Sequence, residues 1–177
     1  MPEITTTTWF PVLTLLIGYG TKALSDWIQN KRSVVREREA REAARHDQRV
    51  ARRITFQRET LLELQEVSMQ LARMTGKANH IDEMYYREHG SLKKTLLPDD
   101  LDEGYRAAQA RVLMLAVRVR DNEVRRLADL LKDLSARNVF TAIRDDADRD
   151  MTRMASVHDE LHKRIGVLLR EIDSSDE

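Results

Sequence analysis

No proline stands between Pro11 and Pro98, and the whole chain holds only three prolines and six glycines. Proline removes a backbone donor and clashes with the preceding turn, and an interior glycine costs a helix about 1 kcal/mol, so a chain that avoids both can run in long helices. The residues filling those stretches are Ala, Leu, Arg and Glu, with 34% of the chain charged, which is the composition of extended helical proteins. The expected fold class is all-α. The chain has no cysteine, which removes disulfides, thiolate metal sites and cysteine nucleophiles from consideration.

The formal net charge of zero hides an asymmetry. Lys31 to Arg58 holds ten Lys or Arg against four acids, a local +6, and the remainder carries −6. Part of that deficit is the tail Glu171, Asp173, Asp176, Glu177, whose Ser174 and Ser175 offer little to bury; residues 173–177 are expected to be a solvated acidic tail.

Before the basic stretch lies the greasiest part of the chain. Ile4 to Thr21 is uncharged, at the short end of what spans a bilayer. Trp9 to Leu24 covers about 24 Å as a helix, against roughly 30 Å of hydrocarbon, so thinning or the long stem of Lys22 must help. Trp9 and Trp27 would sit about 27 Å apart, as interfacial aromatic belts do. An anchor helix over 9–28 is expected, with Trp9, Phe10, Leu13, Leu15, Leu16, Ile17, Tyr19 and Trp27 facing lipid, after a short tail at 1–8. A cleaved signal peptide is disfavoured because no basic residue precedes Lys22 and no small-residue cleavage site follows. A surface-lying helix is disfavoured because the apolar residues surround the helix instead of striping it; a buried core helix is the other alternative. Lys31, Arg32, Arg36 and Arg38 follow the segment and none precedes it, so the N-terminus is expected outside and the body cytoplasmic, with these four residues near anionic lipid headgroups.

Residues 29–58 read as a basic helical stalk with Glu37 to Arg41 and Glu42 to Arg45 as supporting pairs. Residues 59–172 read as an antiparallel bundle of about three helices. Its first seam is Leu64, Val67, Leu71, Met74, Ala78, Ile81, Tyr85, in steps of three and four. Gly76 suggests a kink, Gly90 and Pro98 a connection, and Asp100 with Glu103 a capping box opening the next helix. That helix carries two seams: Leu101, Tyr105, Ala108, Val112, Leu115, Val119, and Leu113, Val117, Val124, Leu127, Leu131, Leu134. A turn is expected at Ser135 to Asn138, with one unbroken helix as the alternative. The last seam is Phe140, Ile143, Ala147, Met154, Val157, Leu161, Ile165, Leu168, Ile172. Leu64, Leu71, Val112, Leu115, Leu127 and Leu161 are the expected bundle core.

Two motifs hint at chemistry. His158 and His162 in HDELH have the i, i+4 spacing of zinc-binding helices, with His80 or His89 as conceivable third ligands, but Glu160 is one place too late for the zincin pattern; two surface histidines are expected. DDADRD, Asp145 to Asp150, lacks the glycine and terminal Glu of a calcium loop and is expected to be a solvated face. With no phosphate loop, nucleophile elbow or Cys/His pair, the chain is expected not to be an enzyme and to hold no cofactor or metal.

Taken in order, LLIGYGTKALSDW, REREAREAARHDQR, TFQRETLLELQE, LLPDDLDEG and ARVLMLAVRVRDNEVRRL resemble small uncharacterised single-pass membrane proteins, helical or coiled-coil, encoded by actinomycetes and their phages. The resemblance implies the architecture and carries over no functional residue. The expected function is a membrane-anchored scaffold or tether presenting a cytoplasmic bundle to a protein partner, and forming a homo-oligomer because the doubled stripe exceeds what one neighbouring helix covers. A phage or host lysis or defence accessory is the alternative. A soluble nucleic-acid binder is the third and weakest, since acids dilute the basic helix and only Phe56 could stack on a base.

Overall fold

The computed structural model describes residues 10–90 and 97–174, the side chains of 10–30 and 32–35 excepted. It is helical, with α1 Phe10–His89, α2 Asp99–Ala116, α3 Asn122–Phe140 and α4 Arg144–Ser174 and no strand among the described residues. The chain divides into two units, Met1–Ala51 and Arg52–Glu177.

In the first unit the described side chains of α1 give it no packing support. Every described side chain from Arg36 to Ala51 is exposed, and the helix rests on its formers and on local pairs such as Glu37 with Arg41 at 3.3 Å. Such pairs contribute only about 0.2–0.5 kcal/mol each.

The second unit is a four-helix bundle, one helix more than the pattern predicted. Its direction is written in the cross-helix contacts. Glu63 pairs with Arg111 and Met74 packs on Gly104, so the α1 segment and α2 run antiparallel. Ser135 on α3 donates to the Tyr105 hydroxyl on α2 at 3.3 Å, near the end of one helix and the start of the other. Asn138 donates to the Ala147 carbonyl at 2.8 Å, and Arg164 donates to Asp121 at 2.6 Å, which turns α4 back along α3. Arg144 reaches Glu83 at 3.0 Å, and Arg58 reaches Asp173 at 3.2 Å, closing α4 on α1. Thr75 meets Ser135 at 2.6 Å and Asn79 meets Asn138 at 3.4 Å across the diagonal, rising together, so α1 and α3 are parallel. The topology is up, down, up, down.

The extra helix comes from a turn at Val117 to Asp121 that breaks what the periodicity read as one helix. Arg118 and Val119 donate back three residues in a tightened last turn. Gln57 then clasps the turn with both ends of its amide: its nitrogen donates to the Arg118 carbonyl at 2.9 Å and its oxygen accepts from the Arg120 N–H at 3.1 Å. Asp121 caps α3, accepting from the Val124 N–H at 2.8 Å. The arginine's hydrogen bond from Arg164, above the smaller pull of the Val124 amide, holds the Asp121 carboxyl below its usual value despite partial burial.

Other boundaries also move. The expected turn at Ser135 to Asn138 lies inside α3, where both residues are fully buried; the break comes at Thr141 to Ile143. Phe140, the last residue before that break, and Ile143, the last within it, belong by pattern to the last seam but are 74% and 60% exposed. Helix α2 opens at Asp99 behind Pro98, with no side-chain cap, so the Asp100–Glu103 box does not form. Helix α1 runs through Gly76. It ends at Gly90, whose φ of 67° is the left-handed geometry glycine tolerates and whose N–H reaches the Tyr86 carbonyl at 2.8 Å.

Candidate interaction surface

Helix α2 has two apolar faces with different fates. Acidic Asp99, Asp100 and Asp102 occupy its first turn, favourable for the helix dipole, and Ala, Leu, Met and Arg fill the rest. Leu101, Tyr105, Ala108, Val112 and Leu115 point inward and are buried. Ala107, Ala110, Leu113, Met114 and Val117 are exposed, the last three to 47%, 54% and 69%. The second predicted seam is therefore split: Val124, Leu127, Leu131 and Leu134 enter the core from α3, whereas Leu113 and Val117 face outward. The turn at Val117 rotates the later half of that stripe away from the earlier half.

Around this face the charges are partly spoken for. Arg106 pairs with Asp102 at 2.7 Å, and Arg111 donates to Glu63 through Nε at 2.9 Å. Asp99, Asp100 and Glu103 stand exposed at one end of the stripe and Arg118 and Arg120 at the other.

The histidine pair is not the solvated pair the sequence suggests. His158 and His162 are half-buried, with ring centroids 4.1 Å apart, and His162 faces α1. The network around His162 closes if Nδ1 accepts from the Gln65 amide at 3.3 Å and Nε2 donates to Ser68 Oγ at 3.0 Å, while Ser68 donates to the Gln65 carbonyl at 2.9 Å. That is the neutral ring. Burial pushes both histidines below their usual value, and His158 adds to the effect on His162 while Asp159 opposes it on both. Although Ser68 and His162 are within hydrogen-bond reach, Ser68 is fully buried, so this is packing and not an accessible nucleophile. Among the described residues no group of three candidate ligands assembles around a metal.

A second polar cluster lies deep in the bundle. Thr75 and Ser135 meet at 2.6 Å, and Gln109 donates to the Tyr105 hydroxyl at 2.5 Å. Burial raises the Tyr105 hydroxyl, opposed by its hydrogen bond with Ser135. These contacts fix the register of α1, α2 and α3. At the α3–α4 end an open groove of about 650 Å³ is lined by Arg137, Arg149 and Arg153 beside Phe140. Asp150 pairs with Arg137 at 3.1 Å and Asp146 with Arg149, so the groove is close to neutral. The DDADRD stretch is thus only partly a solvated face.

All six expected core residues, Leu64, Leu71, Val112, Leu115, Leu127 and Leu161, are at most 2% exposed. Lys31, Arg36 and Arg38 are exposed on α1. The expected anchor residue Trp9 lies outside the described residues, as do the side chains of Phe10, Leu13, Leu15, Leu16, Ile17, Tyr19, Trp27 and Arg32. Among the described residues, no helix is long and apolar enough to cross a membrane. The outward face of α2 was visible in sequence as a second stripe, but Ala107, Ala110 and Met114 were not assigned to it. Their signal is the step from Ala110 to Leu113, Met114 and Val117, the i, i+3, i+4, i+7 pattern of a packing face. Compared with family models, curated proteins and solved structures, the chain matches none.

Proposed function

We propose that this chain is a non-enzymatic helical scaffold, tethered to a membrane through its N-terminal segment, whose bundle docks a protein partner on the outer face of α2. The observation that carries the docking part is the exposed row Ala110, Leu113, Met114, Val117, set at helical i, i+3, i+4, i+7 spacing. A contiguous apolar face at helical spacing is the recognition element of helix-to-helix docking. The tethering part is supported by the sequence: the uncharged run Ile4 to Thr21, Trp9 and Trp27 eighteen positions apart, and Lys31, Arg32, Arg36 and Arg38 after it. The body would then face the cytoplasm.

Both parts are testable in cells. A photo-crosslinking residue replacing Val117 should capture a protein, and the same residue replacing Arg153, exposed on α4, should not; equal capture, or none, would remove the docking surface. Deleting residues 1–30 should move the protein from the membrane pellet to the soluble fraction. A full-length chain already soluble without detergent would remove the tether.

A further inference from the structure

We infer that the partner of the α2 face is a second copy of this chain, packed α2 against α2 and antiparallel about a two-fold axis level with Val112. The inference rests on the docking reading above and names its occupant.

Of the outward positions, Ala107, Ala110, Met114 and Val117 are spaced by three, four and three, so they are symmetric about position 112, while Leu113 lies level with Arg111 of the second copy. An antiparallel two-fold therefore sets Ala107 of one copy opposite Val117 of the other, and Ala110 opposite Met114. Small meets large at each level, the arrangement by which facing helices interdigitate without voids. A parallel pair would oppose Met114 to Met114 and Ala110 to Ala110, crowding one level and leaving a gap at the next.

Charge selects the same orientation. The stripe begins beside exposed Asp99, Asp100 and Glu103 and ends beside exposed Arg118 and Arg120. A parallel pair would face acid to acid and arginine to arginine, which is unfavourable. In the antiparallel pair, at 1.5 Å per residue, Arg118 lies about 9 Å from the axis level and Glu103 of the second copy about 13 Å on the same side. An arginine side chain bridges that difference, and the symmetry makes the bridge twice. Arg106 of the second copy lies level with Arg118, its charge offset by Asp102 at 2.7 Å, and Arg111 is held by Glu63. A few side chains cover well under the roughly 800 Å² per partner of a standard interface, so the pair should form and part with concentration.

The chain has no cysteine, so single thiols report cleanly. Full-length Ala107→Cys and Val117→Cys proteins, each folded like the parent by thermal melt, are oxidised separately and as a mixture. A mixed disulfide accumulating about tenfold over either homodisulfide is expected; homodisulfides that match it would overturn the antiparallel pair. Arg118→Glu should lower the mixed yield, and Arg118→Glu with Glu103→Arg should restore it. Maleimide labelling of Val117→Cys then separates this inference from the reading beneath it. Labelling that slows with protein concentration supports the second copy. Labelling that stays fast at every concentration, with no mixed disulfide, overturns the second copy and leaves the α2 face open to another protein. Labelling slow at every concentration without a mixed disulfide means the chain covers the face itself, and both fall.

Discussion

Residues 36–51 and residues 60–89 belong to the same helix, are built largely from the same helix formers, and yet differ completely in what they bury. In the first stretch no described side chain is even partly buried. In the second, Thr60, Leu61, Leu64, Val67, Ser68, Leu71, Thr75, Ala78 and Asp82 face inward at nearly every turn. Helix propensity is comparable, so the difference is the spacing of apolar groups: REREAREAARHDQR repeats charge, whereas LLELQEVSMQLARM repeats Leu, Val and Met in threes and fours. Local pairs draw a helix, and burial of a stripe holds one.

The comparison predicts a steep contrast in mutational cost. Leu71→Ala and Leu161→Ala, both fully buried, should each destabilise the bundle by about 2–5 kcal/mol, read as a shift of the urea midpoint. Arg45→Ala, on the exposed stretch, should stay within about 0.5 kcal/mol. A large loss from Arg45→Ala would mean that the first stretch is packed on something after all.

Asp121 sharpens the contrast from the side of the turn. It caps α3 and is held by Arg164 from α4, so Asp121→Ala removes two ties and should cost about 1–2 kcal/mol. Asp121→Asn, which keeps the cap acceptor and loses the charge, should recover most of the cap but none of the ion pair. Equal losses for the two variants would show that the cap contributes nothing.

The smallest effect is a pH dependence from the histidine pair. Both rings are pushed below the ordinary histidine value of 6.5 by burial. An unfolded histidine then takes up its proton at higher pH than the folded one, so stability is fully present above about 6.5 and falls as pH drops below that value. The Asp121 carboxyl adds its own loss only below its ordinary 3.8, which separates the two windows. The urea midpoint should fall between pH 7.5 and pH 5, and a variant with both His158→Gln and His162→Gln should flatten that interval. A midpoint that rises on acidification would contradict the neutral, buried pair.

The same physics explains which parts of the fold were legible in sequence. The seam Leu64, Val67, Leu71 and the row Met154, Val157, Leu161, Ile165 repeat at helical spacing without interruption, and all of these residues are buried. The turn at Val117 to Asp121 escapes the pattern because VRVRD contains neither Gly nor Pro and its two valines keep the period. What makes the turn is Gln57, about sixty positions away, satisfying the Arg118 and Arg120 backbone groups, and no local pattern announces that. A local sign did exist in Asp121 followed by Glu123, a cap and first-turn acid. At Ser135 and Asn138 the error ran the other way. Two polar residues suggest a turn, although each finds its partner inside the bundle, Thr75 for one and the Ala147 carbonyl for the other. The α2 surface was half legible: its stripe showed in the spacing, but which half faced out depended on the unseen turn.

Amide hydrogen exchange along α1 tests the central contrast most directly, because protection reports burial and cooperative support residue by residue and not helix content alone. Weak protection is expected from Arg36 to Ala51, a rise near Thr60, and protection approaching that of global unfolding around Leu64, Leu71 and Thr75. Uniform protection from Arg36 to Ile81, or none at Leu71, would contradict it.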